Sequence, residues 1–430
     1  MTSTDTITIA PVTEALRASV SVPGSKSLTN RALTIAALAD GPTKLTNALI
    51  ADDSLQLAEC LGRLGFTVNV DTAAEVISVD GLGGLVPAAH AHLHAGNAGT
   101  ATRFLTALAA LGTGEYVIDG VARMRERPIA DLVGALRQLG AVIDCPTGCP
   151  PVRVTAAGLA GGRAMVAGHL SSQYLSALLI IAPYARSPVE VVVDGGLSSR
   201  PYADMTLAVM VAFGIEVQRD GYHRFSIPQG RYRARPVHRI ESDASAASYF
   251  FAAAAIVGGT VRVEGISRGS CQGDIAFLDV LTEMGCRVEE GEDWVEVTRC
   301  GELRGVDLDL GNIPDTAQTL AAIAPFATSP TVVRGIASAR LKECDRIAAT
   351  CAELARLGVR VVERPDGFAV HPGPGVRATT VRTYGDHRMA MAFALVGLRV
   401  PGLAIENPSC VSKTFPGYFQ VLDQLRLPRL

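Results

Sequence analysis

Leu139-Gly140-Ala141-Val142-Ile143 ends an amphipathic helical stretch, turns on a glycine and opens a strand-like alternation, and the same design returns along the chain. Its copies are Leu64-Gly65-Phe66-Thr67-Val68, Phe213-Gly214-Ile215-Glu216-Val217, Met284-Gly285-Cys286-Arg287-Val288 and Leu357-Gly358-Val359-Arg360-Val361. The five glycines are 75, 74, 71 and 73 residues apart. A second series consists of helices made of small apolar residues, each with its polar residues gathered at the start. These begin near Ser27, Thr100, Ser172, Ala244, Thr316 and Arg388, in steps of 73, 72, 72, 72 and 72. Six units of about 72 residues account for the chain, and a fixed period of this length marks a repeated supersecondary unit.

Within a unit, two helices alternate with short strands, which places the fold in the mixed α/β class. The repeat glycine supplies a left-handed helix C-cap. Pro128, Pro201 and Pro416 fall where a first-turn proline is tolerated. The stretches Phe250–Val257, Leu320–Ala327 and Met389–Val396 carry almost no charge, so they are expected inside. Six such helices predict two domains of three, each with its small helices central. The last amphipathic helix, Tyr418–Leu425, lacks a following strand, and Thr6–Ile9 could complete its unit. One domain then holds both termini (1–22 plus 241–430), the other is inserted (23–240), and an active site is expected in the cleft between them.

Of the 430 residues, 48% are hydrophobic and 19% charged, which describes a packed globular protein. No apolar run is long enough to span a bilayer, and the first residues lack a secretory layout. No membrane association is therefore expected. The nine cysteines, scattered without a zinc-like pair, suggest reduced thiols in a cytoplasm. A formal net charge of −3 gives no general attraction to nucleic acid. Anion binding must come from local clusters.

Such clusters sit at the helix starts, where unpaired N–H groups and the helix dipole favour phosphate or carboxylate. Gly24-Ser25-Lys26-Ser27-Leu28-Thr29-Asn30-Arg31 combines a turn, hydroxyls and two cations, although the upstream glycine of a Walker A loop is missing. Asn97-Ala98-Gly99-Thr100 offers close backbone approach, with Arg103 one turn on. Three arginines fall in Arg123–Arg127, just before a helix. Ser171-Ser172-Gln173 and Ser198-Ser199-Arg200-Pro201-Tyr202 add neutral donors. Lys342-Glu343-Cys344-Asp345-Arg346, Asp386-His387-Arg388 and Lys413 supply the second half, and Asp315 is a candidate general base. Taken singly, an Asp or Ser at a helix start is more often just a cap, and a lone Arg/Lys cluster is usually a solvated face. Six equivalent helix starts, all polar ahead of apolar helices, favour convergence on a site. His90, His92 and His94 would share one face of a strand, but no acidic or cysteine partner accompanies them, so metal binding is the weaker reading.

Together these segments resemble the 5-enolpyruvylshikimate-3-phosphate synthase family of enolpyruvyl transferases. The resemblance is carried by Pro23-Gly24-Ser25-Lys26-Ser27 through Arg31, Gly96-Asn97-Ala98-Gly99-Thr100 with Arg103, and Arg127-Pro128-Ile129. Lys342-Glu343 with Asp345-Arg346, Asp386-His387-Arg388-Met389-Ala390-Met391 and Lys413-Thr414-Phe415-Pro416 complete it. It implies a two-domain α/β fold, each domain made of three βαβαββ units around buried parallel helices. It also implies transfer of the enolpyruvyl group of phosphoenolpyruvate to the 5-hydroxyl of shikimate 3-phosphate, with release of phosphate, in aromatic amino-acid biosynthesis. By the same resemblance, shikimate 3-phosphate is held by Lys26, Ser27, Arg31, Ser171, Ser172, Ser199, Tyr202, Asp315, Ser338 and Lys342. Phosphoenolpyruvate is met by Lys26, Asn97, Gly99, Arg127, Gln173, Arg346, Arg388 and Lys413. Asp315, Glu343 and Lys26 are the implied proton-transfer groups, no metal or organic cofactor is required, and the family precedent is a monomer.

Two positions depart from the family pattern. Ser338 stands where Asn is common, and Phe104 where Pro often follows the arginine, which bears on sensitivity to glyphosate-like inhibitors. The nearest rival is enolpyruvyl transfer to UDP-N-acetylglucosamine, which uses a loop cysteine; Cys145 and Cys149 are its only support here. A non-catalytic anion-binding scaffold would leave Asp315 and Glu343 without a purpose.

Overall fold

A computed structural model describes residues 5–373 and 375–426. The chain forms two compact units, a terminal unit of Met1–Pro23 with Ser242–Leu430 and an inserted unit of Gly24–Glu241. The inserted unit contains α1 (Lys26–Leu38), α2 (Asp52–Arg63), α3 (Gly99–Ala109), α4 (Ala130–Gln138), α5 (Ser172–Ile181) and α6 (Pro201–Ala212). The terminal unit contains α7 (Ala244–Val257), α8 (Phe277–Glu283), α9 (Ala317–Ile323), α10 (Arg346–Arg356), α11 (His387–Gly397) and α12 (Tyr418–Gln424).

The repeat is seen most simply around α3 and α4. Strand His90–His94 runs parallel to Thr113–Asp119, with His90 opposite Glu115. Because a parallel pair needs a crossover, α3 lies between the two strands. Val152–Ala157 then pairs antiparallel with Thr113–Asp119, and Val142–Asp144 with Val152–Ala157. The order is βαβαββ. Among the described residues, five sheets have four strands and the sixth has three.

Three sheets borrow a strand distant in sequence. In the inserted unit, His238–Arg239 lies parallel to Pro42–Thr46, so the end of the unit supplies the first strand of its first repeat. In the terminal unit, Leu16–Ser21 lies parallel to Gly259–Glu264 across the whole insertion. Thr6–Thr8 pairs antiparallel with Ala404–Glu406 and completes the last sheet, as the missing strand after α12 suggested.

In each unit the odd-numbered helices pack on one another at the centre. Every residue of α3 and α11 is buried, and all of α7 except Val257. Alanine-rich sequence makes this close approach possible, because small side chains let three helices share one core. The even-numbered helices cover that core with one face. Five of them, α2, α4, α6, α8 and α10, end at a repeat glycine with positive φ, for example +94° at Gly140 and +103° at Gly285, a region that costs glycine little.

Two details depart from the sequence reading. Only Pro201 occupies a first helical turn. α4 starts at Ala130, two residues after Pro128, and Pro416 precedes Gly417, the N-cap of α12. The expected helix Leu320–Ala327 remains α-helical only to Ile323 and tightens into a 3₁₀ turn, Ala324–Phe326. Pro325 has no N–H to continue the α-helical ladder, and Pro183 stands in the equivalent turn after α5. No helix among the described residues is long and apolar enough to cross a membrane.

Candidate active site

In the inserted unit the polar residues gather at the N-terminal ends of the inner helices. Ser25 caps α1, its Oγ accepting the Leu28 N–H at 3.4 Å. Lys26 follows in the first turn, its Nζ 3.7 Å from Asp53 Oδ2 on α2. Ser171 caps α5 by accepting the Gln173 N–H at 3.2 Å, which leaves Ser172 and Gln173 in the first turn. Ser199, ahead of α6 and Tyr202, has φ +53°, a left-handed conformation that non-glycine residues adopt at a cost.

Arg31 lies one turn into α1 and is buried. Nε donates to Thr206 Oγ1 at 2.7 Å, Nη1 to the Ser27 carbonyl at 2.9 Å, and Nη2 to Ser176 Oγ and the Tyr202 carbonyl, both at 3.1 Å. Its guanidinium carbon sits 5.6 Å from the Phe104 ring centroid. These bonds tie α1 to α5 and α6, so Arg31 braces the helix ends as well as carrying charge. Phe104 lies within α3 and gives Arg31 an aromatic neighbour.

Beside α3, Arg127 Nη1 donates to the Asn97 carbonyl at 3.2 Å and to Asn97 Oδ1 at 3.4 Å. Arg103 donates to the Gly99 carbonyl at 3.0 Å and the Pro128 carbonyl at 2.9 Å. A Cβ on Gly99 would lie 2.4 Å from Arg127 Nη2 and 2.8 Å from Arg103 Nη1. A larger residue here would have to displace these two guanidinium groups. Arg127 Nε is buried without a hydrogen-bond partner.

The terminal unit gathers opposite charges around Arg346, the first residue of α10. Nε donates to Asp386 Oδ2 at 2.7 Å, Nη1 to Asp315 Oδ1 at 3.0 Å and Nη2 to Glu343 Oε2 at 2.8 Å. Burial alone would loosen its proton, but the three carboxylates outweigh that and hold the pKa above the ordinary arginine value. Arg388, on the first turn of α11, takes the other side of Asp315, donating from Nη2 to Oδ2 at 2.7 Å. It also donates to Tyr249 Oη at 3.5 Å and Ser245 Oγ at 3.4 Å on α7. Lys413 Nζ is 3.8 Å from Glu343 Oε1. The N-terminal ends of α7, α9 and α11 therefore meet, as the repeat implied.

Of the terminal-unit residues read from sequence, Asp315, Glu343, Arg346, Arg388 and Lys413 form one network. Ser338 and Lys342 lie half-buried in and just after the turn Ala337–Leu341 that leads into it. Sequence reading gave no role to Asp386, although its motif was legible, nor to Ser245 and Tyr249, which look like ordinary helix residues until α7 is packed against α11. In the inserted unit it passed over Asp53, whose only signal was an acidic pair opening α2.

His90, His92 and His94 are exposed on one face of their strand. Among the described residues, no group of three or more His, Cys, Asp or Glu is placed to hold a metal ion. Cys145 and Cys149 are free thiols, with Cys145 Sγ 3.5 Å from the Cys149 carbonyl, and burial pushes both pKa values up. A loop nucleophile needs the opposite shift.

The fold is a two-unit α/β architecture assembled from six repeats, with charged residues gathered at the starts of its inner helices. The family model described as EPSP synthase (3-phosphoshikimate 1-carboxyvinyltransferase) matches residues 11–422. The 3-phosphoshikimate 1-carboxyvinyltransferase of Nostoc punctiforme is 48% identical over 427 residues, covering 98% of this chain and all of that protein. The enzyme of the same name from Marinomonas sp. strain MWYL1 is 44% identical, covering 98% of this chain and 99% of that one. A solved structure of EPSP synthase from Acinetobacter baumannii superposes with a TM-score of 0.81 at 25% identity, covering 98% of both chains. The chain belongs to the EPSP synthase family.

Proposed function

We propose that this chain transfers the enolpyruvyl group of phosphoenolpyruvate to the 5-hydroxyl of shikimate 3-phosphate and releases phosphate. In the first step the hydroxyl oxygen bonds to C2 of phosphoenolpyruvate, the hydroxyl loses its proton and C3 gains one. In the second, the C2–O bond to phosphate breaks and C3 gives up a proton, restoring the double bond. The observation that carries this reading is Asp315, a carboxylate pinned between Arg346 and Arg388, with Glu343 on the same Arg346.

Asp315 is the proposed acceptor of the hydroxyl proton, and Glu343, with Lys26, the proposed donor to C3. Lys26, Ser27, Arg31, Ser171, Ser172, Ser199, Tyr202, Asp315, Ser338 and Lys342 are assigned to shikimate 3-phosphate. Lys26, Asn97, Gly99, Arg127, Gln173, Arg346, Arg388 and Lys413 are assigned to phosphoenolpyruvate. Arginine suits both ligands because its fork engages two carboxylate or phosphate oxygens at once. Fixed cations also stabilise the charge that grows on the tetrahedral intermediate and on departing phosphate. Residues of both units are needed, all steps are assigned to side chains, and the working form is a cytoplasmic monomer.

Asp315→Asn removes the proton acceptor while keeping the volume. A loss of about 10²- to 10⁴-fold in kcat is expected, with circular dichroism unchanged. Loss of less than threefold would remove Asp315 from this role. Cys145 and Cys149, poor thiolates at neutral pH, are expected to alkylate slowly with iodoacetamide and without loss of activity. Inactivation paralleling their labelling would revive the nucleotide-sugar acceptor.

A further inference from the structure

The terminal unit buries a carboxylate that no step above uses. Asp274 lies in the turn Gly273–Ala276 and is 5% exposed. Its Oδ2 accepts the hydroxyl proton of Ser245, while its Oδ1 is buried with no hydrogen-bond partner. Ser245 Oγ in turn accepts from Arg388 Nη2 at 3.4 Å, and that same nitrogen donates to Asp315 Oδ2 at 2.7 Å. A continuous polar chain thus runs from Asp274 through Ser245 and Arg388 to Asp315. It crosses from the turn before α8, through α7 and α11, to the turn before α9. The charged groups facing Asp274 are Asp315, Arg388 and Asp243.

A carboxylate with one neutral donor and no adjacent cation is costly to ionise. Burial is the largest influence on Asp274, repulsion by Asp315 adds to it, Arg388 and Ser245 oppose it, and the pKa stands at about 7.

We propose that Asp274 is a positioning residue that acts through Ser245 on Arg388, so that its charge governs how strongly Arg388 holds the anionic group of phosphoenolpyruvate. This rests on the assignment of Arg388 to phosphoenolpyruvate made above. Protonated, Asp274 leaves the whole charge of Arg388 to Asp315 and the substrate. Ionised, it competes for the same guanidinium. The KM for phosphoenolpyruvate should therefore rise as pH passes upward through about 7.

The test compares KM for phosphoenolpyruvate between pH 6 and pH 8 in the wild-type protein, Asp274→Asn and Ser245→Ala, at saturating shikimate 3-phosphate. Titration of the substrate phosphate affects all three alike. Asp274→Asn keeps the shape and the Ser245 contact, and should flatten the rise, leaving KM at pH 8 about 3- to 10-fold below wild type. Ser245→Ala removes the hydroxyl that links Asp274 to Arg388, so it should likewise flatten the rise, whereas a rise of wild-type size in Ser245→Ala would overturn the coupling through Ser245.

A separate readout needs no turnover. The folded protein holds the Asp274 proton more tightly than the unfolded chain, so this group weakens the fold as pH rises from about 4 to about 7. The Tm advantage of Asp274→Asn over wild type should grow across that window. Parallel KM curves for wild type and Asp274→Asn would overturn the role of Asp274 even if Tm behaves as stated, because a merely structural carboxylate moves Tm alone. A wild-type protein without turnover would instead overturn the reading of the site, and this proposal with it.

Discussion

Arg346 donates to three carboxylates that lie 3, 31 and 40 residues away in sequence. One planar cation, 2% exposed, serves all three and offsets most of their mutual repulsion, with Arg388 on the far side of Asp315 and Lys413 near Glu343. Lysine presents a point charge and cannot reproduce the fork. Arg346→Lys is therefore expected to lower stability by about 3–5 kcal/mol, read from the urea midpoint, since it strands buried carboxylates. At Gly99 the constraint is steric. An added methyl must displace the Arg127 guanidinium, the far end of a flexible side chain, so the fold should tolerate it. Gly99→Ala should raise KM for phosphoenolpyruvate about tenfold or more and weaken glyphosate inhibition in step, with Tm within a few degrees of wild type. An unchanged KM would separate Arg127 from that substrate. Residue types at these positions were legible in the sequence because charge clustered at repeat-equivalent helix starts. The pairing was not, since nothing in linear order says that Asp386 shares Arg346 with Asp315.

At the scale of elements, the repeat was legible because glycine C-caps and apolar helices obey local rules. The borrowed strands were only partly so. Thr6–Thr8 could be anticipated from a helix lacking its strand, whereas His238–Arg239, two residues long, carries no pattern of its own. Helix ends were misread at Pro128 and Pro325, although Pro201 was placed correctly in the first turn of α6. The segment that introduces α11 shows how an outer helix positions an inner one. Glu353 on α10 is buried, and its Oε2 accepts the Arg382 N–H at 3.0 Å while Oε1 accepts the Tyr384 hydroxyl at 2.9 Å. Tyr384 and Gly385 both have positive φ, at +56° and +66°, and Asp386 follows immediately. Glu353→Ala should cost about 2–3 kcal/mol in urea unfolding by leaving the N–H of Arg382 and the Tyr384 hydroxyl without their acceptor. It should also reduce kcat/KM through the loosened Asp386–Arg388 turn. A stability loss with kcat/KM untouched would confine Glu353 to the fold.

For the whole molecule, the two units differ in how the chain enters them. The inserted unit is continuous and its ends meet, the Ser25 N–H donating to the Glu241 carbonyl at 2.8 Å. It has its own three sheets and three inner helices, so residues 24–241 expressed alone should unfold cooperatively. A non-cooperative transition would show that its core depends on the remainder of the chain. The terminal unit is assembled from both ends of the sequence and offers no such fragment. The measurement that bears most directly on the function is phosphate release from phosphoenolpyruvate with each of two acceptors. Release with shikimate 3-phosphate but not with UDP-N-acetylglucosamine, abolished in Asp315→Asn, is the predicted result. Release with the nucleotide sugar alone, or with neither acceptor, would contradict it.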